Sequence, residues 1–397
     1  MIKSRLTFIF LLLMGNAFSQ SENKFTVKWD NALKIESADK QFQFKMGGRI
    51  HYDVMFIHQD DSLDQYFEAN NGSGFRRIRL YTSGKFFNNI EYKLQLDFAK
   101  GNVAPKDIYI RFTKLPGIGN FQVGNFKEPL GFEMLTSSNN INFIERSLTN
   151  AFTPDRSLGF MVFNQWATNR ISAYAGYFFN SQGIGKYLGE GYHLTGRLTA
   201  LPYFKDGNNY RLVHLGLSYS HQYQGDDKLI YNSKPEAHLA PKYVTADLEK
   251  VNNIDKLGTE LVVVYHSFSF QSEYILNSIN INTGPALEKS HAWYGSFSWI
   301  LTGEHKEYSM GTACFGHITP RKNYGQKGGF GALELSLRYS EIALFARELQ
   351  GGEMHDITLG ANWYLNPVVR ISANYISSEV VGLGRAGIFD MRFQLVF

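Results

Sequence analysis

From Phe42 onward the chain alternates. Even positions read Phe42, Phe44, Met46, Gly48, Ile50, Tyr52, Val54 and Phe56, and odd positions read Gln43, Lys45, Gly47, Arg49, His51 and Asp53. A period of two with one apolar and one polar face is a β-strand between an apolar medium and water. The pattern returns at Ile90, Tyr92, Leu94, Leu96 and Phe98 against Glu91, Lys93, Gln95 and Asp97, at Val369, Ile371, Ala373 and Tyr375, and in a last strand at Phe389, Met391, Phe393, Leu395 and Phe397. After the first residues no window approaches the roughly 18 apolar residues that a transmembrane helix needs, so helical spans are excluded.

The N-terminus carries Lys3 and Arg5, an apolar run from Leu6 to Met14, and the small-residue pattern Ala17-Phe18-Ser19. This predicts a secretory signal over residues 1–19, cleaved before Gln20, and a single exported domain over 20–397. Cleavage would lower the net charge from +4 to +2, which leaves bulk charge uninformative and disfavours nucleic-acid binding. The lone Cys314 is read as a small packed hydrophobe.

A soluble β-sandwich would also alternate. Two features argue instead for a lipid-facing wall: aromatic residues such as Trp299 and Trp363 close the apolar faces, and Phe397 ends the chain on its apolar face, where the barrel-assembly machinery of Gram-negative bacteria would read it. The aromatic content of 15%, with 32 Phe and 23 Tyr, fits interfacial girdles. Short turn signals (Phe87-Asn88-Asn89, Lys114-Leu115-Pro116-Gly117, Asn208-Asn209, Asn366-Pro367) alternate with longer polar stretches at residues 59–73, 224–256 and 321–327. The expected fold is therefore all-β: a transmembrane antiparallel up-and-down barrel of about 16 strands, 18 at most, in an outer membrane beside lipid and lipopolysaccharide.

In the run Arg76-Arg77-Ile78-Arg79-Leu80-Tyr81 the alternation sends Ile78 and Leu80 to lipid and Arg77, Arg79 and Tyr81 to the lumen. An arginine facing lipid at the midplane would cost about 2–4 kcal/mol. Arg49, Arg111, Arg197, Arg338, Arg370 and Arg392 fall in the polar phase too and would line a water-filled bore, some paired with acids such as Glu91, Asp97, Glu334 and Asp390. Residues 127–156 are long, non-alternating and too rich in Phe, Leu and Ile for disorder; the expectation is a loop folded onto the inner wall, with Lys127, Arg146 and the hydroxyls of 136–138 as donors, the alternative being a lid or subunit contact packed over the barrel mouth.

Several runs, in order, resemble one family: Gly47-Gly48-Arg49-Ile50, Phe75-Arg76-Arg77-Ile78-Arg79-Leu80, Gly124-Asn125-Phe126-Lys127-Glu128-Pro129-Leu130-Gly131, Phe143-Ile144-Glu145-Arg146-Ser147-Leu148, Leu301-Thr302-Gly303-Glu304-His305 and Asn362-Trp363-Tyr364-Leu365-Asn366-Pro367. They are similar to the phosphate-selective porin O and P family. The resemblance implies 16-stranded trimeric barrels with an inward third loop, a pore for small anions such as phosphate, no cofactor, and a constriction assembled from Arg49, Arg76, Arg77, Asp97, Lys127, Ser137, Ser138 and Arg146; the alternation adds Arg79. Alternative readings are a general or oligosaccharide diffusion porin and a barrel enzyme. His193, His214, His221 and His266 show no spacing that pairs them with a nucleophile. The glycine pattern at 382–387 is followed by a strand rather than a helix and is read as a hairpin loop, and the acids Asp60, Asp61, Asp64, Asp226 and Asp227 as solvated.

Overall fold

The computed structural model describes residues 24–29, 31–180, 189–225, 228–282, 287–346 and 349–397; the expected signal and the Asp226-Asp227 pair lie outside the described residues. An outer hairpin, β1 (Phe25–Trp29) and β2 (Leu33–Ser37), precedes the barrel. The barrel begins with β3 (Phe42–Gln59), β4 (Gly72–Phe86), β5 (Ile90–Asp97), β6 (Ala104–Leu115), β7 (Gly119–Phe126), β8 (Ser157–Trp166), β9 (Ile171–Phe179), β10 (Tyr192–Lys205) and β11 (Arg211–Tyr223). A small hairpin, β12 (Leu229–Ser233) and β13 (Val244–Leu248), separates these from β14 (Val251–Tyr265), β15 (Phe268–Ile281) and β16 (Leu287–Ile300). After a second small hairpin, β17 (Tyr308–Ser309) and β18 (Cys314–Phe315), come β19 (Ala332–Ala346), β20 (Leu349–Tyr364), β21 (Val369–Val380) and β22 (Gly384–Val396).

Neighbouring barrel strands pair antiparallel, and β22 closes on β3 with Val396 opposite Arg49 and Ala386 opposite Gln59. Sixteen strands form the closed wall, and β2 extends the β3 edge below it through Leu33 opposite Met46. The seam depends on two glycines. A Cβ at Gly47 would lie 2.4 Å from the Phe397 carbonyl oxygen and one at Gly48 2.6 Å from the Phe397 ring, so only bare backbone lets the terminal aromatic lie across β3.

Away from the register shifts between β3 and β4 and between β5 and β6, the phases fall as the alternation requires. Phe56, Leu80, Phe389 and Phe393 face outward and are exposed, whereas His51, Asp53, Arg77 and Arg79 point inward and are buried. The 382–387 segment starts as the tight connection between β21 and β22 and runs on as strand.

One end of the barrel carries tight turns with one exception, and the other carries the long loops beside a few tight connections such as that between β21 and β22. Residues 301–331, which contain the polar 321–327 stretch expected at the long-loop end, join β16 to β19 at the short-turn end, where Ile300 pairs with Glu334. This segment climbs into the barrel: Lys306 binds Glu334 at 2.7 Å, the Tyr308 hydroxyl lies 2.8 Å from His214 Nδ1, and Phe315 packs edge-on against Phe132 with ring centroids 5.1 Å apart. Part of the 224–256 stretch, around Glu236, also turns inward. Glu236 there is buried and accepts from Arg338 Nε (2.8 Å), Ser340 (2.5 Å) and Thr358 (2.6 Å) on the wall.

Candidate functional site: a cation-lined lane between loop and wall

The wall of the site is β3 to β6. Strict alternation would send Arg76 to lipid with Ile78 and Leu80. Instead Tyr52 pairs with Phe75 and His51 with Arg77, which leaves Arg76 as the extra residue of a β-bulge. The bulge resets the phase, so Arg76 and Arg77 both reach the interior. Arg76 grips Glu145 with a two-pronged contact (Nε 2.9 Å, Nη2 3.1 Å), and Arg77 Nη1 lies 3.5 Å from the same carboxylate. Arg79 donates to Asp97 at 2.6 Å. A second irregularity sets Leu94 opposite Ile108 but Leu96 opposite Pro105, and brings Lys106 and Asp107 to the lumen side by side. These two residues and Lys93 are site residues that the alternation did not single out. Lys93 stood in the polar phase of β5, whereas no local signal marks the bulge that turns Lys106 and Asp107.

The facing side is the loop over 127–156, folded inward as expected. Gly131, at φ 80°, turns the chain into a single helical turn, Phe132–Leu135. Its first amides, those of Phe132 and Glu133, donate to Glu273 of β15 at 2.7 Å each, so a wall carboxylate satisfies donors that a helix start leaves free. Phe143, Ile144, Leu148 and Phe152 are buried, the last two packed with Ile254, Ile275 and Ala292 of the inner wall. Wall arginines hold the loop backbone: Arg392 binds the Ile144 carbonyl, Arg370 the Ile141 carbonyl (2.9 Å) and Arg338 the Glu145 carbonyl (3.1 Å).

The expectation that the polar-phase arginines line open water therefore holds for one side of the barrel alone. Arg197, Arg338, Arg370 and Arg392 are each no more than 3% exposed. They are staples: Arg197 on Glu260 and the Ala313 carbonyl, Arg392 on Asp53 and Glu145, Arg338 on Glu236 and Glu133. Arg111 pairs with Glu91 and Gln122. Burying so many cations demands compensation, which comes partly from wall carboxylates, Glu260 and Asp53, and partly from carboxylates and carbonyl oxygens of the folded-in segments, such as Glu133, Glu145 and Glu236.

Between β3–β6 and the loop a cavity of about 470 Å³ stays open, bordered by all nine of Arg49, Arg76, Arg77, Arg79, Asp97, Lys127, Ser137, Ser138 and Arg146. Ten cationic side chains line it against four carboxylates. Arg49 donates to Ser138 (2.9 Å) and Ser137 (3.4 Å). Lys127 is held by the carbonyls of Met134, Leu135 and Thr136, and Arg146 by those of Glu133, Met134 and Thr136. Among the described residues no carboxylate lies within 4 Å of Arg49, Lys127 or Arg146, so their charges are not cancelled by a direct ion pair. A second cavity of about 510 Å³ continues toward the short-turn end and shares Arg49, Lys93 and Gln95 with the first. A third, of about 200 Å³, opens toward the long loops beside Lys234 and His238 and shares Arg76, Glu145 and Arg146.

The four histidines with enzyme potential are engaged in structural contacts. His193 meets Glu128, His214 meets Glu260 and Tyr308, His221 meets Asp255, and His266 meets Arg211.

A closed sixteen-stranded barrel, apolar outside, with a charged lane between its wall and an inward loop, is a porin of a Gram-negative outer membrane. Comparison with known proteins narrows the class. The chain belongs to the phosphate-selective porin O and P family, whose model matches residues 44–397. Porin O of Pseudomonas aeruginosa is 22% identical over 398 aligned positions, covering 89% of this chain and 86% of that protein. An uncharacterized protein of Caulobacter vibrioides is 26% identical over 368, covering 88% and 71%. Among solved structures, the anion-selective porin from Comamonas acidovorans shares the fold at a TM-score of 0.54 and 12% identity, covering 90% of this chain and 100% of that one. OmpT of Vibrio cholerae, folded in vitro and in its trimer form, does so at 0.55 and 10%, covering 89% and 99%. Family and neighbours together point to a channel rather than an enzyme.

Proposed function

We propose that this porin conducts small anions, phosphate among them, along the lane between β3–β6 and the inward loop, and that the nine residues named above form its narrowest, anion-binding stretch. The observation that carries this reading is the charge imbalance of the lining, ten cations against four carboxylates, with Arg49, Lys127 and Arg146 held by neutral oxygens. Guanidinium groups and hydroxyls replace part of an anion's hydration shell, and the field of a narrow low-dielectric slot concentrates anions before they enter. Arginine matches phosphate oxygens with a two-pronged fork. Asp97 has a distinct role: it orients Arg79 through the 2.6 Å contact and accepts the amide of Ile78 at 3.3 Å. The family's description and the name of the Comamonas porin support the same sign of selectivity.

Three further points belong to this reading. The signal over 1–19 is cleaved before Gln20, Phe397 is the residue offered to the barrel-assembly machinery, and the channel works as a homotrimer, in line with the trimer form of the Vibrio protein. The test is the reversal potential of the purified protein in a planar bilayer under a KCl gradient, followed by titration with phosphate. Anion selectivity with chloride current blocked by phosphate is expected. A cation-selective pore refutes the anion reading, and a pore indifferent to phosphate leaves a general diffusion porin.

A further inference from the structure

The lipid-facing surface carries a cluster that the channel does not use. On the outward faces of β19 and β20, Glu341, Glu353 and His355 each offer one ligand atom, all within 4.8 Å of one another. His355 Nε2 lies 2.7 Å from Glu353 Oε1 and 4.0 Å from Glu341 Oε2. Two ligands on one tetrahedral Zn²⁺, at bond lengths of about 2.1 Å, sit about 3.4 Å apart, so these separations bracket the spacing a single ion would impose. The supporting contacts have the form seen around metal ligands. Glu341 is fixed from its other side by His291 of β16, with Nε2 3.2 Å from Oε1, and by the Tyr339 hydroxyl, which donates to Oε2 at 3.2 Å.

The placement adds a physical reason. The cluster lies at the long-loop end of these strands, where His291 stacks on Tyr274 and His355 meets Tyr339, so it rests on aromatic side chains of the interfacial girdle. Two carboxylates on neighbouring strands repel each other and would repel anionic lipid headgroups at that level, and a bound dication reverses both effects. We propose that Glu341, Glu353 and His355 form a divalent-cation site of the Zn²⁺ class on the outer rim of the barrel, with His291 and Tyr339 as positioning residues and one coordination position open outward. Imidazole beside carboxylates favours Zn²⁺ or Co²⁺ over Mg²⁺ and Ca²⁺, which prefer oxygen alone. The site is independent of the anion lane.

The test uses the full mature protein, stripped of metal in detergent and titrated with Zn²⁺ by calorimetry. One saturable site per chain is expected. Glu341→Gln with His355→Ala should weaken it at least a hundredfold, and His291→Ala roughly ten- to a hundredfold, as for loss of an outer-shell partner. All variants should keep the gel mobility of the folded barrel, because the side chains face outward. Co²⁺ titration of the unmodified protein supplies a readout that does not depend on a variant folding: intense visible bands of a low-coordinate ion are expected. A spectrum no different from aqueous Co²⁺, or Zn²⁺ affinity unchanged in the double variant, overturns the site.

Discussion

Neutralising Arg49 is the most direct probe of the lane. The residue projects from β3, a wall strand, and lines both the main cavity and the one below it, so a permeating ion must pass it. Its contacts are the Ser137 and Ser138 hydroxyls, which glutamine can also engage, so Arg49→Gln removes charge with little rearrangement. An ion passing at about 4 Å exchanges about 1 kcal/mol with a unit charge in water and up to about 4 kcal/mol at an effective dielectric constant near 20. Chloride loses that stabilisation and potassium loses the matching repulsion, so even the lower limit shifts the permeability ratio by about 2 kcal/mol, or roughly 30-fold. Screening over about 10 Å at 0.1 M salt reduces this to roughly tenfold. Reversal potentials under a tenfold KCl gradient should therefore move strongly toward the cation side, and more so at low salt. An unchanged reversal potential, or a shift that does not grow as salt is lowered, would refute the argument that this lane carries the current.

Lys127→Glu and Arg146→Glu should also shift selectivity toward cations. Both residues hold the carbonyls of 133–136, so these variants should in addition show noisier single-channel current from a loosened loop. Lys228→Glu and Lys242→Glu should change selectivity far less, since Lys228 is a surface residue paired with Asp247 at 2.7 Å and both lie outside the cavity lining. Glu236→Gln should cost about 3–5 kcal/mol by leaving Arg338 partly unpaired, read as a lower unfolding temperature together with larger conductance as the second inward segment releases; the double variant Glu236→Gln, Arg338→Met should recover part of the loss in a double-mutant cycle. Gly48→Val should prevent the seam from closing, because a Cβ there meets the Phe397 ring at 2.6 Å and the Arg79 carbonyl at 2.7 Å, and the protein should lose the mobility difference between unheated and boiled samples on gels.

The wall was legible in the sequence because period two is a local property: each strand shows which residues meet lipid without reference to its neighbours. The inward loop was legible for a related reason, since its Phe, Leu and Ile break the alternation and still require burial. Three things were decided by tertiary structure. The two bulges bring Arg76, Lys106 and Asp107 inward, and a bulge exists only in the pairing of two strands, where one residue goes unmatched. The 301–331 segment enters from the short-turn end and residues around Glu236 enter from the other; from the chain alone both look like polar loops. A trace of this was present in the inner faces of β14, β15 and β19, where Ile254, Val262, Val264, Ile275, Ile279 and Ile342 stand in positions that an open bore would have made polar. Finally, the polar-phase arginines divide into those bordering the lane and those stapling the loops. All of them share one phase and one residue type, and what separates them is whether the folded-in segments close over the guanidinium entirely, as at Arg338, Arg370 and Arg392, or leave it bordering the open cavity, as at Arg49, Arg79 and, despite its contact with Glu145, Arg77.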